Sequence, residues 1–556
     1  MKNRKVTVCL YIVLIIGLIL YSHFYGLPFH FPQSQIFTSS AVKGIDTVDG
    51  YGVSASNPIA VEVGMEILEN GGNAVDAAIA VAYTLGVVDP FDAGIGGGGA
   101  MIIYPVDGRN PVAYEYRECA PLSGVMTTGM VGIPGFVKGM EEIHHEFGTK
   151  DLKYLLEPAI KLAEDGFKVS EFFTRRLEQA KYRLPVDSLP HFFPGGRPLS
   201  AGERLTQTEL AETLKQIQIN GADYFYRGIL AEKIAARISG IEVKDFENYE
   251  VKRYKPVSGV FDDYKVYSAP PPLGGVTLIQ MLQLLEITNT EKITSTGELI
   301  QALAGIIEIA YRDRLTNITD PDFSDIPVSK LTSLDYAKEL TQKMSFGYPY
   351  EDDDDPTYAD DDIDDEGDTL HFVIVDKDGM MVSSTNTLSQ SFGSAIYLEG
   401  FFLNNQLRNF AKSSQSPNSL EPGKRPRSFL SPTILAKEGK PVIGIGTPGG
   451  NKIPMILMQI LFNFIKKEIP LQEAIELPRL YYYGNILFYE DELSYELKNE
   501  LREHGYGIYI SESPFLRGIT ALVVDYDNNQ LYGGAEYRVG ATWKVERATK
   551  EHAKKN

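Results

Sequence analysis

Asp368-Thr369-Leu370-His371-Phe372-Val373-Ile374-Val375-Asp376-Lys377-Asp378-Gly379, returning through Met380 to Ser383-Ser384-Thr385-Asn386-Thr387-Leu388, is the stretch on which the reading of this chain turns. Phe372 to Val375 is aromatic and β-branched, Asp378-Gly379 is a turn pair, and Met380 to Thr385 reads as a returning strand. Residues 351–368 carry twelve Asp or Glu and almost nothing apolar. Such a run cannot bury enough surface to offset the entropy of ordering, so it reads as a mobile acidic linker. A threonine therefore stands where a polar tether meets a buried hairpin. Cutting the bond between Asp368 and Thr369 would give that residue a hydroxyl nucleophile together with a free α-amino group able to serve as its base. The plainer reading is a threonine that opens a strand after a surface loop.

The 556 residues suffice to bury a large core, and 43% hydrophobic content argues for a globular protein. The formal net charge is −21, of which the acidic run alone supplies −12. The remainder is moderately acidic and gives no support to nucleic-acid binding. Two cysteines, Cys9 and Cys119, exclude a disulfide framework. The eight histidines show no ligand spacing, and the acidic run lacks the alternation and glycine of a calcium loop, so neither a metal nor a cofactor is expected. At the N-terminus three cations within Met1 to Lys5 precede sixteen mostly apolar residues, Val6 to Tyr21. Residues 1–25 therefore read as a signal peptide or an uncleaved signal-anchor in a membrane, and 26–50 as a tether.

Asn57-Pro58 is a helix start, with Asn as cap and Pro at the first position, and Asn70-Gly71-Gly72 ends that helix. A second, mostly buried helix follows from Asn73. The run Gly94 to Gly99 lacks the lysine of a phosphate loop and suits close backbone packing beside a strand at Ala100 to Tyr104. The next strand is expected at Val112 to Arg117. Residues 135–180 and 207–240 read as amphipathic helices, Val257 to Tyr267 as a strand, and Val276 to Ile287 and 298–315 as helices. Beyond the hairpin, strands are expected near Phe401, Pro432 and Val442, then an apolar helix from Lys452 to Lys466, and a final strand at Thr520 to Asp525. Pattern alone supports a large mixed α and β protein.

Thr369-Leu370-His371-Phe372, with Asp376-Lys377-Asp378-Gly379 seven residues on, resembles the start of the small subunit of the γ-glutamyltranspeptidases. These belong to the N-terminal-nucleophile hydrolases. The resemblance runs from about Gly52 to Trp543 and is strongest to the branch that depolymerises poly-γ-glutamate capsules. Its motifs are Ser383 to Leu388, Gly400-Phe-Phe-Leu-Asn-Asn-Gln-Leu407, Glu421-Pro-Gly-Lys-Arg425 and Pro448-Gly-Gly-Asn451. It implies an α+β fold, a four-layer αββα sandwich made as two subunits from one precursor. Residues 51–350 would form the large-subunit part, 351–368 the linker ending at the self-cleavage site, 369–545 the small-subunit part, and 546–556 a charged tail. One departure is Leu370, where the family usually carries Thr.

The resemblance also assigns roles. Thr369 is expected as the nucleophile and Thr387 as the threonine that hydrogen-bonds it. Gly449 and Gly450 would supply the oxyanion hole, and Arg117 would bind the glutamyl α-carboxylate, helped by Ser428; a second serine of the family is replaced by Phe429. Arg408 is read at a position where glutathione-cleaving relatives hold the free α-ammonium with an acid. Arg408, Arg427, Arg425 and Arg117 would together suit a polyanion. Only ten residues separate Phe410 from Glu421, where transpeptidases carry a longer lid. The expected function is a self-processing hydrolase or transpeptidase on the bacterial surface, membrane-anchored or secreted. It would act on poly-γ-glutamate and transfer to water or a cell-wall amine. The alternatives are a glutathione hydrolase acting on small γ-glutamyl amides and, because of Leu370, an inactive homologue that binds anionic polymer.

Overall fold

The computed structural model describes residues 50–344, 367–511 and 518–547. The signal or anchor segment, the tether before Gly50, the acidic run as far as residue 366 and the tail beyond Arg547 lie outside the described residues. Among the described residues no helix is long and apolar enough to cross a membrane.

The chain opens with β1 (Gly50–Ala55), α1 (Pro58–Glu69) and α2 (Ala74–Val88). Asn57 caps α1 by accepting from the Ile59 amide, with Pro58 in the first turn. Asn73 and Asp76 form a reciprocal capping box on α2. Strands β2 (Gly98–Tyr104) and β3 (Val112–Glu115) follow, then helices α3 (Phe136–Phe147), α4 (Leu152–Asp165) and α5 (Glu171–Ala180). After a helical stretch come β4 (Lys252–Tyr254), β5 (Val257–Phe261), β6 (Tyr264–Ser268), α6 (Gly275–Ile287) and α7 (Thr296–Asn317). The C-terminal part contributes β7 (Asp368–Val375), β8 (Met381–Ser389), β9 (Thr433–Lys437), β10 (Lys440–Gly446) and α8 (Ile453–Leu461). Three strands end the described chain: β11 (Thr520–Asp525), β12 (Gln530–Ala535) and β13 (Thr542–Arg547).

These strands form two antiparallel sheets, a seven-stranded one ordered β13-β1-β7-β8-β2-β3-β4 and a six-stranded one ordered β12-β11-β10-β9-β6-β5. Side-chain alternation sorts the central hairpin between two cores. Leu370, Phe372 and Ile374 pack in the core with α1 to α5, whereas Val373, Val375 and Met381 join the core that holds the second sheet and α6 to α8. The result is helix–sheet–sheet–helix, the four-layer αββα sandwich of the N-terminal-nucleophile hydrolases.

The sheets approach closely at two glycines of β10. A Cβ added to Gly446 would stand 2.1 Å from the His371 ring, and one on Gly444 would stand 2.4 Å from Val373 Cγ1. Neither neighbour can yield without moving β7. Gly446→Val is therefore expected to lower stability by about 1–3 kcal/mol through overpacking. Urea unfolding checks this, and an unchanged midpoint would show that the sheets slide apart freely.

Some elements differ from the sequence reading. Val257 to Tyr267 is a hairpin turning at Asp262-Asp263, with Asp262 at φ +52. The helix expected to run to Lys466 is α-helical only to Leu461 and finishes in a π turn, Phe462–Lys466. Strands β12 and β13 were not anticipated. β13 pairs with β1 over six residue pairs, and its last two residues, Glu546 and Arg547, fall in the stretch read from the sequence as a charged tail.

Candidate active site

Thr369 and Thr387 face one another across the central hairpin, in register, just before a bulge that sets Asp368 opposite Ser389. The Thr387 hydroxyl donates to the Asp368 carbonyl at 2.6 Å and accepts from the Ser389 amide at 2.8 Å. The carbonyl of the bond expected to be cut is thus already polarised by a hydroxyl whose own position is fixed. The Thr369 hydroxyl is buried and has no hydrogen-bond partner among the described residues. A buried hydroxyl without a partner is costly unless the site uses it. By the same alternation Leu370 points to the helix-side core, so the residue that departs from the family pattern faces away from the nucleophile.

Gly449 and Gly450 lie in the turn between β10 and α8 at φ +129 and +56, conformations that favour glycine. Gly367 rests directly on this turn, so close that a Cβ on it would come within 2.6 Å of Gly450 Cα. Arg117, Gly367, Thr369, Thr387, Ser389, Gln406, Asn409, Ser428 and Gly450 line one cavity, with Phe429, Leu430 and Ile453 as its apolar wall. Its volume is about 30 Å³, enough for little more than a water molecule, with Gly367 of the linker side forming part of its wall.

Of the expected site residues, the structure therefore brings Thr369, Thr387, Arg117, Ser428 and Gly450 to one cavity, with Gly449 adjacent in the same turn. Arg117 is buried and pairs through Nε with Glu118 at 3.1 Å. Burial holds the Glu118 carboxyl above its usual range while the Arg117 charge opposes that shift. Phe429, in place of the second serine, stacks on Tyr311 at 5.4 Å and lies under the Arg314 guanidinium.

The arginine cluster expected to meet a polyanion is corrected. Arg425 is buried, paired with Glu115 at 3.0 Å, and donates to the Glu250 carbonyl. Arg427 is buried too, and its guanidinium donates to the Leu315 carbonyl at 2.9 Å near the end of α7. This is the common use of a cation at a helix C-terminus. Neither guanidinium lines the cavity. Arg408 also stays out of the lining and meets the Gln390 side-chain amide at 2.6 Å, whose oxygen accepts from it in the orientation that satisfies both groups. Residues Gln406 to Asn409 form a 3₁₀ turn, in which side chains three apart eclipse. Gln406 and Asn409 consequently share the cavity side, and Arg408 between them does not.

Three lining residues with polar side chains escaped the sequence reading: Ser389, Gln406 and Asn409. All are neutral, and the Ser389 hydroxyl, the Gln406 amide and Asn409 Oδ1 are buried without partners among the described residues. Ser389 is held at φ +80, a strained conformation for a residue with a side chain. The signal for Ser389 was its place two residues beyond Thr387; for the other two it was their spacing of three. His371, on the same face as Thr369, binds Thr385 at 2.7 Å and Ser383 at 3.3 Å within the layer between the sheets. Burial pushes its pKa down to about 3, so it is neutral near pH 7.

A family model described as gamma-glutamyltranspeptidase matches residues 60–544. The chain belongs to the γ-glutamyltranspeptidase family. Among family members, the "Capsule biosynthesis protein CapD proenzyme" of Bacillus anthracis is 44% identical over 496 residues, 89% of this chain and 90% of that protein. The "Glutathione hydrolase proenzyme" of Bacillus subtilis (strain 168) is 32% identical over 579 aligned positions, 96% of this chain and 97% of that protein. A cephalosporin acylase from Bacillus halodurans superposes with a TM-score of 0.80 at 25% identity, covering 93% of this chain and 99% of its own. This γ-glutamyltranspeptidase-family chain is thus a γ-glutamyl hydrolase or transpeptidase of the N-terminal-nucleophile class.

Proposed function

We propose that this enzyme cuts itself before Thr369 and then acts on poly-γ-glutamate, using Thr369 as nucleophile. In self-cleavage the Thr369 Oγ bonds to the Asp368 carbonyl carbon, the peptide C–N bond breaks and the hydroxyl proton ends on the released nitrogen. Water then hydrolyses the ester, leaving a carboxylate on Asp368 and a free amine and hydroxyl on Thr369. In turnover that amine takes the hydroxyl proton while Oγ attacks a γ-glutamyl carbonyl. The Gly449 and Gly450 turn would offer N–H groups to the oxyanion, and the leaving amine departs with the proton. Water or a cell-wall amine resolves the acyl-enzyme. Arg117 and Ser428 would take the α-carboxylate; the Glu118 contact engages Arg117 Nε, and a guanidinium has further donors for a carboxylate.

The observation that carries the substrate choice is the neutral wall of Ser389, Gln406 and Asn409, with no carboxylate among the described residues of the cavity lining. A free α-ammonium, as in glutathione, calls for a counter-charge. The α-nitrogen of an interior poly-γ-glutamate unit is an amide N–H, which the orphaned Asn409 Oδ1 suits without charge. The loop after Asn409 is short and folds on itself, with Asn418 donating to the Asn409 carbonyl at 2.7 Å, which favours access by a long chain. The similarity to a capsule biosynthesis protein agrees with this reading, and a capsular substrate places the enzyme outside the cell, in keeping with the basic and apolar N-terminus. The similarity to a glutathione hydrolase supports small γ-glutamyl amides as the second reading. Comparing polymer and glutathione turnover decides between them. The wild type is expected to prefer polymer, and Asn409→Asp to shift the ratio toward glutathione by at least tenfold. A wild type that prefers glutathione overturns the capsule reading.

A further inference from the structure

Asp368 is gripped by its side chain as well as by its backbone. Arg176, on α5, places a terminal nitrogen 2.6 Å from Asp92 Oδ1 and 2.6 Å from Asp368 Oδ2. Its guanidinium lies over the rings of Phe91 and Phe172 at 5.4 and 5.7 Å, which sets its plane. Asp92 belongs to the turn after α2, and its carbonyl accepts from the Leu388 amide at 3.0 Å, tying that turn to β8 beside Thr387. A further acid, Asp89, receives Asn57 Nδ2 at 3.0 Å. Burial raises the Asp92 carboxyl, and the Arg176 charge opposes that shift. Arg176 is largely buried, does not line the active-site cavity and has no part in the turnover described above.

We propose that Arg176, backed by Asp92, reads the Asp368 side chain and positions the scissile peptide for self-cleavage. The inference rests on Thr369 being the self-cleaving nucleophile. The peptide is then held at three points: Gly367 on the Gly450 turn, the Asp368 carbonyl on the Thr387 hydroxyl, and the Asp368 carboxylate on Arg176. The first contact needs a residue without a Cβ at 367, and the second involves only backbone and would accept any residue at 368. The third depends on the Asp368 side chain, and with the glycine before it sets the register of the linker. Holding a carbonyl where the attacking oxygen must meet it is a large part of what positioning contributes to a rate. Arg176 exchanges no proton in the step; the bond changes are those of the acyl shift and ester hydrolysis given above.

The test is a time course of cell-free synthesis of the full chain, following by intact mass the fragment that begins at Thr369. R176Q and D368N are each expected to slow its appearance at least tenfold. The double variant should be no slower than the slower single variant, because both remove the same contact. D368E should recover part of the rate. A role in stability alone would instead lower the thermal midpoint of R176Q and leave D368N at the wild-type rate. Wild-type cleavage by D368N, or additive losses in the double variant, overturns the proposal. Where R176Q fails to fold, D368N decides by itself. A wild-type chain that is active yet stays uncut removes the Thr369 assignment and this inference with it, an outcome distinct from normal cutting in both variants.

Discussion

Thr369→Ala is expected to remain a single chain and to lose turnover on every γ-glutamyl substrate. The substitution removes the hydroxyl placed at the start of β7, opposite Thr387 and next to the polarised Asp368 carbonyl. Self-cleavage and turnover fail together because both need the same oxygen, and the amine that serves as base in turnover exists only after the cut. Loss of a nucleophile costs on the order of 10⁶ in kcat in a well-studied serine hydrolase, and a comparable loss is expected here. Thr369→Ser keeps the oxygen and should still be cut and turn over, more slowly. Intact mass and a γ-glutamyl release assay read both effects. The fold should hardly notice the alanine, since the removed hydroxyl has no hydrogen-bond partner to strand among the described residues. Turnover by an uncut wild type would falsify the nucleophile assignment.

Gly450→Val is expected to leave a folded protein with turnover reduced by on the order of 10²–10³, the usual effect of losing one oxyanion donor. The backbone at Gly450 has φ +56, a conformation that a β-branched residue adopts poorly, so the turn must shift and carry its N–H groups away from the carbonyl. The conformational cost itself is small, about 1–2 kcal/mol, which the two large cores can absorb. Because Gly367 rests on this turn before the cut, self-cleavage is hindered too, and turnover must be normalised to the cleaved fraction. Unchanged normalised turnover in a folded variant would move the oxyanion hole away from Gly449 and Gly450.

What the sequence determined by itself is the part governed by short-range rules. The Asp378-Gly379 turn and the alternation on either side of it specify the β7–β8 hairpin, and that register is enough to set Thr387 opposite Thr369. Asn57, Pro58 and the Asn73–Asp76 box mark where α1 and α2 begin, because a cap needs only its own first turn. Tertiary structure alone decided which charges are spent and which face the cavity. Arg425 looked like part of a cationic surface until Glu115, 310 positions earlier in the chain, closed on it, and Arg427 until the end of α7 did. Asn409 rather than Arg408 reaches the cavity because the segment winds as a 3₁₀ turn, where a shift of one residue turns a side chain by about a third of a circle. The grip of Arg176 on Asp368 joins residues from two separate parts of the chain, and β13 becomes a strand only against the edge of β1. Ion pairs and sheet edges are contacts between distant segments, and the local pattern of neither partner carries them.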